Sequence, residues 1–221
     1  MMDAIIQVEG GVVLLGGGAV AAADVHAALT IAPVLVAADG GGDRALAMGL
    51  MPDAVIGDLD SLSPEGRAAL GSRVHEIAEQ DSTDFGKCLI HVAAEFYLGL
   101  GFTGLRLDHT LATLANVAAR PEARVILIAE EDIIFRAPPR LRLDLPVGMR
   151  FSLFPFGPVT GRSEGLRWPI EGIDFAPAGR VGTSNEVSGP VTMETDGPML
   201  VMVPRAALSA VLAALLPGRG R

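Results

Sequence analysis

Three short acidic stretches carry the residue types from which phosphoryl-transfer chemistry is built: Asp39-Gly40-Gly41-Gly42, Gly57-Asp58-Leu59-Asp60-Ser61 and Gln80-Asp81-Ser82-Thr83-Asp84. Each alone reads as a turn or a helix cap, because Asp and Gly are ordinary turn residues and an Asp ahead of a helix is often its N-cap. Gathered at one edge of a sheet they mean more. Like charges packed together are costly unless a cation sits among them. Magnesium is such a cation, and it prefers carboxylates combined with phosphate oxygens. Asp58 and Asp60 are two apart, so in an extended strand end both side chains point the same way and reach one ion. Asp84, opening a helix, adds a third carboxylate. An ion held by Asp58, Asp60 and Asp84 would bridge phosphate oxygens and neutralise charge as a bond to phosphorus breaks. Glycines at 40, 41 and 42 leave backbone N–H groups free to approach a phosphate closely.

A second motif competes with this one. Gly16, Gly18 and Ala21 follow a strand with the spacing of a dinucleotide-binding turn, and Asp39 lies about twenty residues on, where a ribose-binding acid would stand. That reading makes an NAD-dependent oxidoreductase, but it leaves Asp58, Asp60 and Asp84 without a task.

Positioning such loops requires strands alternating with helices. Val12–Leu15, Val34–Ala38, Ala54–Ile56, Val74–Ala78, Phe96–Leu100 and Val125–Ala129 read as strands. Helices are expected over 21–29, 43–49, from Pro64 to Leu70, over 83–94 and over 108–119. Pro64 suits a first turn, since its missing N–H is an orphan there anyway. The alternation predicts an α/β fold: a mostly parallel, Rossmann-like sheet with helices on both faces. Ligands bind beyond the carboxyl ends of strands in such sheets, where the acidic loops fall. Near Arg136-Ala137-Pro138-Pro139 the period changes to two. Arg140–Leu145, Arg150–Phe154, Val191–Thr195 and Met199–Val203 suit a C-terminal antiparallel β-sandwich, and Asp196-Gly197-Pro198 is a hairpin signal. The domain boundary is placed between residues 136 and 137. Ala206–Leu216 reads as a packing helix, followed by a Gly218–Arg221 tail.

Composition removes several classes. The chain has 221 residues, half of them hydrophobic, and a net charge of −9. A sizeable core is possible, whereas a nucleic-acid surface would need clustered Lys and Arg. Lys87 is the only lysine and has no glycine loop before it, so a Walker A motif is excluded. Cys88, the single cysteine, permits neither an internal disulfide nor a cysteine zinc cluster and reads as a buried helical thiol. No apolar stretch approaches membrane-spanning length, and the N-terminus does not read as a signal peptide, so the cytoplasm is the default compartment.

The motifs together resemble the thiamine pyrophosphokinase family. The likeness rests on Ala38-Asp39-Gly40-Gly41, the run Pro52–Ser61, Gln80–Phe85, Arg106-Leu107-Asp108-His109-Thr110-Leu111, Gly165–Ile170 and Thr183-Ser184-Asn185-Glu186. The resemblance implies an α/β domain followed by a β-sandwich, a homodimer with the thiamine site at the subunit interface, and transfer of the diphosphoryl group of ATP to the hydroxyl of thiamine. It places Asp58, Asp60 and Asp84 as magnesium ligands. Gln80, Trp168, Ser184 and Asn185 fall at the thiamine site, with the indole covering a ring. Arg106 and Asp108 are assigned there too, and Asp39, Gly40, Gly41 and Arg44 are the expected nucleotide contacts. An indole face attracts cations and thiamine carries a permanent positive charge; a core or dimer-contact aromatic is the alternative for Trp168. Either Asp81 or Asp84 would accept the hydroxyl proton. Asp108 reads equally as a helix cap, His109 as a satisfied polar residue, and Arg106 as the partner of a nearby acid. One departure stands out: Leu105 occupies a position that is usually glycine in the family, which leaves a non-catalytic thiamine- or nucleotide-binding homologue as a further alternative.

Overall fold

The computed structural model describes residues 4–104 and 106–216; Leu105 and the Gly218–Arg221 tail lie outside them. The chain forms two compact units, one of residues up to 116 with 125–130 and the other of residues 117–124 with 131 onward.

The first unit runs β1 (Ile6–Gln7), β2 (Gly11–Leu15), α1 (Ala22–Ile31), β3 (Val34–Ala38), α2 (Gly41–Ala47), β4 (Ala54–Gly57), α3 (Pro64–Leu70), β5 (Val74–Glu76), α4 (Asp84–His91), β6 (Val92–Ala93), β7 (Phe96–Leu100), α5 (Leu107–Ala119) and β8 (Val125–Ile128). Six strands pair in the order β8-β7-β2-β3-β4-β5, all in parallel. Every residue of β2, β4, β7 and β8 is buried, so both faces of those strands are covered. Their unbroken apolar sequences, GVVLL, AVIG, FYLGL and VILI, follow from that double burial. The order of connection reverses between β2 and β7, which is the switch point where loops part and leave a crevice.

Helix signals are local. Ser63 caps α3, its Oγ accepting from the Gly66 N–H at 2.9 Å, with Pro64 at the first position. Thr83 caps α4 by accepting from Gly86 at 3.1 Å. Two helix ends differ from expectation. Helix α2 begins at Gly41, inside the glycine run, and α4 stops at His91 because Val92 and Ala93 leave it to pair with β1.

The second unit holds β9 (Asp132–Arg136), β10 (Arg140–Leu143), β11 (Arg150–Pro155), β12 (Gly161–Leu166), β13 (Gly182–Thr195), β14 (Met199–Pro204) and α6 (Leu208–Leu215). Its ladders are antiparallel. The fourteen-residue β13 serves two sets of neighbours: residues 182–186 pair with β11, and residues 191–195 pair with β10 and β12. The hairpin expected across Asp196-Gly197-Pro198 does not form. Strand β11 lies between β13 and β14, and the turn instead carries the chain across it. Asp196 is drawn aside, accepting from the Thr160 N–H at 2.7 Å and its hydroxyl at 2.9 Å.

Candidate active site

The loops after β2, β3, β4, β5 and β7 line one cleft of about 920 Å³ in the first unit. Its acidic wall starts at Asp39. This residue takes a left-handed backbone (φ 46°), and its N–H donates to the Ile56 carbonyl at 3.0 Å, which turns the chain sharply out of β3. Asp39 is buried; its Oδ2 accepts from the Ser61 N–H at 3.1 Å, while Oδ1 has no partner. Burial raises its carboxyl pKa above the usual value, the Ser61 bond opposes that, and Asp84 and Asp60 add to it.

Leu59, at φ 65°, makes the corresponding bend after β4 and packs into a core of Ala37, Val55, Leu62 and Leu70. That inward anchor leaves Asp58 and Asp60 facing the cleft. Ligand oxygens of Asp39, Asp58 and Asp60 lie within 4.8 Å of one another. Asp58 accepts from Gln80 Nε2 at 2.9 Å, and its pKa falls, chiefly through that bond and further through Lys87. Asp84 stands beside the trio: its Oδ1 accepts from the Asp58 N–H at 3.4 Å and meets the Lys87 ammonium at 3.2 Å. The acidic group thus gathers differently from expectation, with Asp39 joining Asp58 and Asp60 while Asp84 is engaged by a lysine.

Lys87 is the residue that reading the motifs missed. Its side chain is 1% exposed and also approaches Asp58 at 3.6 Å. Burial disfavours the charged ammonium, but the hydrogen bond and charge of Asp84, then Asp58 and Glu79, outweigh it and raise the pKa. The available signal was compositional: one lysine among seventeen basic residues, three positions after an acidic one in a helix.

The glycine turn has a packing reason. A Cβ on Gly16 or Gly18 would stand 2.5 Å from the Gly101 carbonyl, and the Gly18 N–H donates to that oxygen at 2.9 Å. The glycine spacing thus has a packing explanation that needs no dinucleotide, and Asp39 is engaged by Ser61 and the acidic trio. Gly40 and Arg44 line the cleft, and Arg44 donates to the Gly17 carbonyl at 3.2 Å; Gly41 packs over Leu15.

Other expected residues divide. Gln80, Asp84, Arg106 and His109 line the cleft, whereas Asp81 and Asp108 do not. The Asp81 N–H donates to Glu79, which also accepts from Ser82 and so shapes the loop. Arg106 is bidentate on Asp108, at 3.2 and 2.6 Å, and holds that carboxyl down at about 2.

Within the second unit, Trp168 is 54% exposed. Its N–H donates to Asn185 Oδ1 at 3.1 Å, and Asn185 Nδ2 donates back to the Trp168 carbonyl at 2.7 Å. Asn185 is buried and is therefore the clamp for the tryptophan backbone. The Arg167 guanidinium stacks 4.9 Å from the indole centroid. Ser184, at φ 62°, donates its N–H to Ser152 Oγ at 3.0 Å, which supports the irregular register of β13 there.

Family models described as thiamin pyrophosphokinase, catalytic domain, and thiamin pyrophosphokinase, vitamin B1 binding domain, match residues 25–127 and 140–200. The chain belongs to the thiamine pyrophosphokinase family. Thiamine pyrophosphokinase 3 of Oryza sativa subsp. japonica is 28% identical over 172 residues, covering 67% of this chain and 64% of the relative. Thiamine pyrophosphokinase 1 of Arabidopsis thaliana is 26% identical over 170 residues, again covering 64% of its length. The chain thus spans less than two thirds of these curated relatives. The fold is similar to the solved thiamin pyrophosphokinase of Candida albicans, with a TM-score of 0.77 and 18% identity over 89% of both chains. It is also similar to that of Bacillus subtilis, with a TM-score of 0.71 and 19% identity over 88% of this chain and 98% of the other. Leu105, read from the sequence as a departure from the family pattern, lies outside the described residues. No helix among the described residues is long and apolar enough to cross a membrane.

Proposed function

We propose that the protein transfers the diphosphoryl group of ATP to the hydroxyl of thiamine, releasing thiamine diphosphate and AMP. The observation that carries the proposal is the convergence of Asp39, Asp58 and Asp60 within 4.8 Å in the wall of the cleft. The donor set is all oxygen, as magnesium requires, and the buried, unpartnered Oδ1 of Asp39 is the kind of atom a cation would satisfy. These three residues, with Asp84 adjacent, would hold the ion; when bound, it supplies charge neutralisation on the transferring phosphoryl oxygens.

The chain's own groups do the rest. The hydroxyl oxygen of thiamine bonds to the β-phosphorus of ATP as the bond from that phosphorus to the bridging α-phosphate oxygen breaks. Asp84 lines the cleft and Asp81 does not, which favours Asp84 to receive the hydroxyl proton. Arg44 and the N–H groups around Gly40 suit polyphosphate, and Gln80, bonded to Asp58, suits an acceptor held beside the acidic wall. Trp168 offers an indole to the thiamine cation, with Ser184 and Asn185 shaping its support. An exposed Trp168 and Val147 in the second unit agree with a homodimer in which Trp168 serves the partner's cleft. A Rossmann-like first unit and a β-sandwich second unit are the finer architecture that the parallel and antiparallel ladders support.

The test is AMP release dependent jointly on ATP, magnesium and thiamine. Asp60→Ala should cut turnover by about 100-fold or more, the scale for removing an electrostatic stabiliser of a transition state, with the circular dichroism spectrum unchanged. Full activity in that variant would overturn the assignment.

A further inference from the structure

Three carboxylates within 4.8 Å, with a fourth alongside, repel one another whenever no divalent cation is bound. Something in the chain must offset that repulsion if the loops are to stay assembled. Lys87 lies where such a group is needed. It is one of the largest fully buried side chains, and its ammonium touches Asp84 at 3.2 Å and Asp58 at 3.6 Å. Those acids come from separate places, Asp58 from the loop after β4 and Asp84 from the first turn of α4. The lysine therefore ties two elements together as well as balancing charge. Glu79 adds a weaker attraction from the loop before α4. Neither acid is as buried as the lysine: Asp58 is 18% exposed and Asp84 31%, so each keeps a face toward the cleft.

We propose that Lys87 is a resident counter-cation, a positioning residue that keeps the acidic loops assembled before a divalent ion arrives and moderates their affinity for a free ion. A positive charge fixed this close repels a second cation, so the site gains its ion more readily with a polyphosphate that contributes negative charge of its own. The inference rests on the same acidic cluster as the proposed function, but it does not require that the acceptor be thiamine or the donor ATP.

The experiment is a comparison of the full chain with Lys87→Met, which keeps bulk and removes charge, without any nucleotide or thiamine. The variant should melt lower in EDTA. Adding magnesium should raise its melting temperature by more than it raises that of the parent, and manganese titration followed by electron paramagnetic resonance should show several-fold tighter binding. A lysine with only a packing role would lower both melts and leave the ion-induced increment and the manganese affinity unchanged. Equal or weaker manganese binding in the variant would overturn the proposal. If Lys87→Met does not fold, Lys87→Met with Asp84→Asn removes both charges of the ion pair and should restore folding. Failure of that double variant to gain stability over the single one would also count against it. The AMP assay is independent of these measurements, so either conclusion can fail alone.

Discussion

The Ser61 N–H reaches 3.1 Å across to Asp39 Oδ2, and this bond joins the loop after β3 to the loop after β4. Through it, one aspartate both shapes the cleft and fills a corner of the acidic trio, while its second oxygen stays buried without a donor. Asp39→Asn keeps an acceptor for Ser61 and removes a buried carboxylate whose charge burial and the nearby Asp84 and Asp60 disfavour. Without divalent cation at pH 7 it should therefore stabilise the protein. Differential scanning calorimetry in EDTA checks this, and AMP formation should fall sharply in the same variant. Such opposition of stability and activity marks a site kept strained for its task.

Trp168 and Asn185 should separate by stability. The exposed indole contributes little to folding, so Trp168→Ala should shift stability by no more than about 0.5 kcal/mol. Its effect should fall on the thiamine KM. Asn185→Ala strands the backbone N–H groups of Trp168 and Glu186 and the Trp168 carbonyl, and should cost about 1–3 kcal/mol in a urea titration. As Trp168 is the only tryptophan, its fluorescence reports binding directly. Thiamine should quench it saturably in the parent and less in Asn185→Ala.

Asp108 supplies the pH prediction. Its pKa in the folded chain is depressed from 3.8 to about 2 by Arg106. A depressed acid stabilises the fold above its unfolded pKa and loses that contribution as pH falls through the folded value. The melting temperatures of the parent and Asp108→Asn should therefore differ by a small, salt-sensitive amount above pH 4 and converge toward pH 2. A gap that widens on acidification would contradict the pairing with Arg106.

Cys88 is fully buried in α4, and burial drives its thiol pKa strongly upward. It should not react with a disulfide reagent at pH 8 until the chain unfolds. One equivalent should then appear at the unfolding rate, measured by absorbance against urea concentration.

Much of this was legible in residue order, and the exceptions have physical causes. Strands β2, β3, β4, β7 and β8 show as apolar runs because they are buried or nearly so along their whole lengths. The pairing of β1 with β6 leaves no such trace, since two-residue strands have no period. Residues 182–190 hide the first half of β13, where Gly, Ser, Asn and Pro read as loop. Asp196-Gly197-Pro198 announces a reversal but cannot name which strand the returning chain will join. Within the site, the spacing of Asp58 and Asp60 was informative, whereas the approach of Lys87 to Asp58 depends on α4 docking against β3 and β4.

Gly16, Gly18 and Gly101 interlock so closely that no side chain fits between the turns that carry them. A side chain at any of the three positions would have to push these turns apart at the floor of the cleft. Gly18→Ala should therefore lower the melting temperature, and the stability lost measures how tightly the floor of the cleft is built.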